Sequence, residues 1–223
     1  MKYLTIPIKL VYDALAAAGV LALLLLGLRA WVLRWPELTV SPVAPLVGTP
    51  PLAMTGGDPY VRALMRTITA SEANDPQPYT LLYGGARFSD LSRHPERCVP
   101  IVAGPNRGNC TTAAGRYQFL DSTWREKAQQ YHPEPHNFLW WQHYSFVPEH
   151  QDGVVYRWLS DPQAWQGHDI PALLRAGELP TVLRLLSDTW TSLGYGIETN
   201  VMSPFLPAIY EAMLAEELAA TTP

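Results

Sequence analysis

The 223-residue sequence predicts a mostly helical α+β domain behind an apolar N-terminal segment and a proline-rich spacer. Three observations carry this. Hydrophobic residues make up 48% of the chain but crowd its start, filling 26 of the first 35 positions. Six prolines with Gly48, Gly56 and Gly57 follow between Pro36 and Pro59. Beyond them, helical readings surround one stretch of short strands and loops, Tyr79 to Phe119. With segment and spacer set aside, about 160 residues remain, enough for one domain with one core.

The first element is residues 1–35. Its uncharged run, Ala14 to Leu28, spans about 22 Å as a helix, short of a hydrocarbon core of about 30 Å. A helix over residues 10–33 spans if Asp13 and Arg29 snorkel, with Trp31 and Trp35 at interface depth. A cleaved signal peptide is the competing reading, but Leu28-Arg29-Ala30-Trp31 offers no small-x-small site. A retained signal-anchor is expected, making the membrane a partner of this segment. Residues 36–58 resist helix and sheet and form a linker, with the domain running from 59 to 223.

Charge divides unevenly. Residues 1–35 hold four basic residues and one acidic, leaving 12 of 16 basic and 19 of 20 acidic for the rest. An acidic body disfavours nucleic acid as a partner. Eight Trp and eleven Tyr suit sugar faces, interfaces or a packed core, and composition does not choose among them.

Asp58-Pro59 is an N-cap followed by proline at the first helical position, and Val61, Leu64, Met65 and Ile68 recur with helical spacing. Continuing the row from Val61 through Met65 and Ile68 lands on Glu72, at the end of the core-facing stripe, where a raised pKa is expected. A carboxyl kept protonated near neutral pH can donate the proton a leaving sugar oxygen needs. The plainer alternative is a glutamate at a frayed helix end. Further helices are expected near Ser122–Gln130, Pro148–Leu159, Pro171–Ala176, Pro180–Leu193 and Pro204–Ala219.

The two cysteines, Cys98 and Cys110, bracket a loop rich in Pro, Gly and Asn. A local disulfide is expected, which places the body in an oxidising, non-cytoplasmic compartment; two separate buried thiols are the alternative. His132, His136, His143 and His150 with Glu134 and Glu149 invite a metal, but Pro133 and Pro135 keep His132 and His136 off a shared helical face. Neither metal nor cofactor is expected.

Five ordered blocks carry a resemblance: Ser71-Glu72-Ala73-Asn74-Asp75, Tyr83-Gly84-Gly85, Phe88-Ser89-Asp90 with Ser92 and His94-Pro95, Gly115-Arg116-Tyr117-Gln118-Phe119, and Trp190-Thr191-Ser192-Leu193-Gly194-Tyr195-Gly196. They resemble the bacteriophage lambda endolysin family of lytic transglycosylases, glycoside hydrolase family 104, over about residues 60–215. The resemblance implies a lysozyme-like, two-lobed domain with Glu72 at the junction and peptidoglycan glycan strands as the partner. It implies Glu72 as the catalytic acid, Tyr117 and Gln118 lining the saccharide groove, and Asp75, Asp90 and Tyr195 in matching blocks. For Tyr117-Gln118 a packed strand before a helix capped at Asp121 is the alternative.

The chain departs from the family pattern in its anchor and spacer, its Cys98/Cys110 loop, and an aromatic insertion near Tyr131–Phe146. There Phe138, Trp140, Trp141 and Tyr144 could extend a sugar face or form a lid packed on the core. The expected activity is cleavage of the β-1,4 bond between N-acetylmuramic acid and N-acetylglucosamine by a membrane-tethered, extracytoplasmic domain. The rivals are a two-carboxylate hydrolase using Asp75 or Asp90 with Glu72, and a non-catalytic wall-binding subunit.

Overall fold

A computed structural model describes residues 49–104, 106–134, 136–138, 141–195 and 200–221. The expected anchor over 1–35, residues 36–48 of the spacer, Trp140, and the side chains of 136–138 and 141–143 lie outside the described residues. Among the described residues no helix is long and apolar enough to cross a membrane.

The domain is built on helix α1, Pro59–Glu72. Asp58 caps it as the sequence implies, its carboxylate accepting from Tyr60 N at 2.8 Å. Val61, Leu64, Met65 and Ile68 are wholly buried. The helix is buried on more than one face, because Arg66, Thr67 and Thr69 are also inside. Thr67 and Thr69 return their hydroxyls to the carbonyls of Ala63 and Met65 at 2.8 and 2.9 Å, which satisfies them within the helix.

After α1 come two single 3₁₀ turns, Pro78–Thr80 and Tyr83–Gly85, and a two-stranded antiparallel sheet of β1 (Val99–Pro100) and β2 (Cys110–Thr111). The Cys98–Cys110 disulfide closes this sheet. Helix α2 (Asp121–Tyr131) follows, then a hairpin of β3 (His136–Phe138) and β4 (Trp141–His143). The remainder is helical: α3 (Pro148–Leu159), α4 (Ile170–Arg175), α5 (Leu179–Leu186) and α6 (Leu206–Thr221). The expected helix Pro180–Leu193 breaks after Leu186 and resumes as a 3₁₀ turn, Thr191–Leu193. Asp121 is not the cap of α2, since Leu120 occupies that position. Its carboxylate instead accepts from the Thr112 hydroxyl at 2.7 Å.

Helix α6 is the main partner of α1. Across their interface Arg62 meets Glu217 at 2.5 Å, and Arg66 meets Glu217 and Glu216 at 3.2 and 2.6 Å. Arg66 and Glu217 are both buried, so each charge needs the other.

Of residues 49–58, assigned to the spacer by their proline and glycine content, 49–54 are held against the domain. Thr49 and Leu52 are buried. Arg116 donates to the carbonyls of Pro50 and Pro51 at 2.6 and 3.0 Å, and Asp152 accepts from the amides of Ala53 and Met54 at 2.7 and 3.2 Å. A proline-rich segment that cannot bond to a sheet ladder is held instead by two buried charged side chains.

The aromatic insertion contributes to the core. Phe146 is wholly buried and meets His94 at 4.9 Å and Trp124 at 4.7 Å between ring centroids. Tyr144 is buried and pairs with His132. Two His-Pro-Glu turns repeat one device: His94 Nε2 bonds the Phe119 carbonyl at 2.8 Å while Nδ1 accepts from Glu96 N, and His132 Nε2 bonds the Ser145 carbonyl at 3.0 Å while Nδ1 accepts from Glu134 N. Both rings are thereby bonded to backbone at each nitrogen.

Candidate active site

Glu72 is the last residue of α1, half-buried, with three core turns of the helix behind it. Its carboxylate accepts a short hydrogen bond from the Ser192 hydroxyl. Ser192 Oγ also lies 3.0 Å from Ser71 Oγ, and Ser71 donates to the Ile68 carbonyl at 3.0 Å. Backbone contacts lock both serines: Asn200 Nδ2 donates to the Ser71 carbonyl at 3.1 Å, and Ser203 Oγ to the Ser192 carbonyl at 2.8 Å. Gly194 ends the 3₁₀ turn at φ +98°, where a Cβ would stand 3.1 Å from Ser203 Cβ, so glycine permits this close return of the chain.

Of the other expected residues, Asp75 lies just past the helix. Its Oδ1 accepts from Arg87 Nη2 at 2.6 Å and from Gln77 N at 2.7 Å. The Arg87 guanidinium beside it, helped by the Gln77 amide, holds its carboxyl below the usual carboxylate range. Asp90 is exposed, and its Oδ1 accepts from both the hydroxyl and the amide of Ser92, which lower its pKa. Asp90 shares a cleft of about 440 Å³ with Arg87, Phe88, Ser89, Arg93, Pro95 and Arg97. Tyr195 is 45% exposed, with the Arg184 guanidinium 5.0 Å over its ring.

Tyr117 corrects the expectation of a groove residue. It is completely buried, its hydroxyl donates to Asp152 Oδ1 at 2.6 Å, and its carbonyl accepts from Trp190 Nε1 at 3.1 Å. A ring with no exposed surface cannot stack on a sugar. Gln118, half-buried, closes a four-residue turn between Ala114 and Phe119 at φ +47°. Its amide donates to the carbonyls of Gly115 and Leu81 at 3.0 and 3.3 Å, so its NH₂ serves the turn.

Sequence reasoning passed over Arg116 and Asp152. Arg116 is wholly buried and donates also to Thr69 Oγ1 at 2.8 Å and to the Tyr79 hydroxyl at 3.0 Å. Asp152 Oδ2 accepts from the Tyr79 hydroxyl at 2.7 Å in addition to Ala53 and Met54. Burial pushes Asp152 above the ordinary carboxylate range while Arg116 and the tyrosine hydroxyls pull it back. Asp152 had no motif signal in the sequence. Ser192 was legible inside the Trp190–Gly196 block, without a role.

A mostly helical domain with small antiparallel sheets and a half-buried glutamate ending its central helix is the arrangement of a lysozyme-type enzyme. The endolysin family model matches residues 62–216, and the chain belongs to that family. Lysozyme from bacteriophage lambda, in a solved structure of its complex with a chitohexasaccharide, is similar at 22% identity and a TM-score of 0.52, covering 72% of this chain and 97% of that one. A second structure of lysozyme from bacteriophage lambda matches at 22% identity and a TM-score of 0.48, over 75% and 97%. No curated protein matches the chain.

Proposed function

We propose that this enzyme is a lytic transglycosylase that cleaves the β-1,4 bond between N-acetylmuramic acid and N-acetylglucosamine in peptidoglycan. The observation that carries the reading is the isolation of Glu72 as the carboxyl group suited to act as acid. It ends the core helix and is gripped by a hydroxyl, whereas Asp75 is neutralised by Arg87 and Asp90 is tied to Ser92. The chitohexasaccharide on the lambda lysozyme supports a β-1,4-linked amino-sugar polymer as substrate.

Glu72 would first protonate the leaving sugar oxygen and then, as a carboxylate, accept the proton of the muramic sugar's own C6 hydroxyl. That hydroxyl is tethered beside the reacting carbon at high effective concentration, so ring closure outruns water. The product is a 1,6-anhydromuramic end. A hydrolase would need a second carboxylate flanking the bond, and the Asp75–Arg87 pair weakens the nearest candidate in sequence as a base. The apolar residues 1–35 would hold the domain at a membrane, facing the cell wall outside the cytoplasm, consistent with a disulfide.

Digestion of purified murein followed by mass spectrometry tests the product: fragments one water lighter than hydrolytic ones are expected. Reducing muramic ends alone would overturn the transglycosylase reading. Glu72→Gln should fold and fail to clear murein in a zymogram; clearing by that variant would remove Glu72 from its role.

A further inference from the structure

Residues 88–97 form neither helix nor strand, yet the segment is anchored along its length. Phe88 N donates to the Thr80 carbonyl at 3.1 Å, and its ring meets the buried ring of Phe146 at 6.0 Å. The Leu91 carbonyl accepts from Phe146 N at 2.9 Å, His94 is buried against the Phe119 carbonyl, and the Cys98 disulfide follows directly. From this fixed chain Arg87, Arg93 and Arg97 line the cleft of about 440 Å³, with Phe88 and Pro95 as its apolar wall.

The charges around this cleft are unevenly spent. Arg87 is committed to Asp75 at 2.6 Å. Asp90 is the cleft's own acid; Ser92 holds its Oδ1, and Arg93 acts on it as a weaker neighbouring charge. Glu96, the other acid of the segment, does not line the cleft and faces Arg125 on α2 at 3.6 Å. Among the described residues Arg93 and Arg97 make no ion pair and no side-chain hydrogen bond. The chain beyond residue 35 holds 12 of the 16 basic and 19 of the 20 acidic residues, so its net field repels an anionic polymer. A concavity with two uncommitted guanidinium groups is a local exception to that field.

We propose that Arg93 and Arg97 form a stem-peptide site, taking a carboxylate of the peptide borne by a muramic residue while the glycan lies at Glu72. This rests on the reading of peptidoglycan as substrate. Muramic residues carry short peptides with free carboxylates on their lactyl groups, so negative charge projects beside the glycan strand. Asp75 lies three residues past Glu72, at most about 11 Å between Cα atoms, and Arg87 reaches Asp75 from the cleft. The cleft therefore flanks the end of the helix that carries the acid. Planar guanidinium forks suit a carboxylate, which accepts paired N–H bonds. The contribution is to binding, because this carboxylate has the same charge before and after the glycosidic bond breaks.

The test compares the wild type with Arg93→Gln, Arg97→Gln and the double variant in the full chain. The substrates are purified murein and the same murein with its carboxyl groups capped as amides by carbodiimide and ammonium. Arg157→Gln, which removes the same charge from α3 outside the cleft, is the control. On native murein each cleft variant should raise KM about threefold and the double variant about tenfold, with kcat unchanged, as expected for exposed ion pairs. On amidated murein the wild type should itself show the raised KM, and the double variant should add nothing. Salt should raise the wild-type KM on native murein more than that of the double variant. A wild-type KM in the double variant overturns the site. So does a loss that persists on amidated murein, which would point to phosphate or to the sugars, and so does an equal loss in Arg157→Gln, which would point to net charge. A wild type that cleaves neither murein removes the substrate reading and this site together, whereas cleavage with indifferent cleft variants removes the site alone.

Discussion

Tyr117→Phe tests whether this tyrosine serves the fold or the sugar. Its hydroxyl is the donor to Asp152 Oδ1, at 2.6 Å, while the donors from Tyr79, Ala53 and Met54 all converge on Oδ2. Removing it leaves one oxygen of a wholly buried carboxylate without that bond, and hydrogen bonds to charged groups are worth about 1.5–3 kcal/mol. For a domain of this size each kcal/mol moves Tm by about 2–4 °C, so a fall of about 3–12 °C is expected at neutral pH. The folded variant should keep its kcat/KM on murein, since Tyr117 has no exposed surface. The penalty should shrink in acid: burial raises the Asp152 pKa, loss of a donor raises it further, and a protonated carboxyl demands less. Thermal melts and turbidity assays at several pH values read both quantities. An unchanged Tm with collapsed kcat/KM would refute the structural assignment and return Tyr117 to the groove.

Three further outcomes follow from named contacts. Gly115→Ala should destabilise by about 2–5 kcal/mol, because φ is +77° there and a Cβ would stand 2.3 Å from Gln151 Oε1 and 2.8 Å from Phe146 Cζ; a denaturant midpoint equal to wild type would contradict it. Reducing Cys98–Cys110 should cost about 2–4 kcal/mol, read as a lower Tm with reductant present, and no change would show that the cross-link constrains nothing. His94 has its pKa lowered by burial, so its contribution to stability is present above about 6.5, the unfolded value, and is lost as pH falls towards the folded one. His94→Gln should flatten Tm against pH in that window; an unaltered slope would exclude His94 as its source.

How much of this was legible in the sequence depends on the range of the interaction. The α1 start was readable because Asp58, Pro59 and the Val61–Ile68 stripe act within a few residues of one another, and so was the Cys98–Cys110 bridge, whose partners share one loop. The break of the expected Pro180–Leu193 helix was not, since Leu183, Leu186, Trp190 and Leu193 keep an apolar rhythm through the 3₁₀ turn. The packing of residues 49–54 was hidden for a different reason. Proline and glycine correctly denied them helix and sheet, but their partners, Arg116 and Asp152, stand about 65 and 100 positions away in the chain.

Gly115 to Phe119, one of the five blocks that resemble the family, carries architecture. Gly115 admits the crossing of Gln151 and Phe146, Arg116 pins the entering strand and reaches Thr69 on α1, Tyr117 holds Asp152, and Gln118 closes the turn. Arg116 carries this block's contact with α1. Arg116 grips it at Thr69, Glu216 and Glu217 of α6 grip it at Arg62 and Arg66, and Ser192 grips its last side chain. A 14-residue helix fixed near its start, its middle and its end has little freedom to displace the carboxyl it carries. An acid that must meet a scissile oxygen within hydrogen-bond reach gains from such rigidity, since sub-ångström placement governs proton transfer. Through Arg116 the motif helps to hold the helix that ends in Glu72.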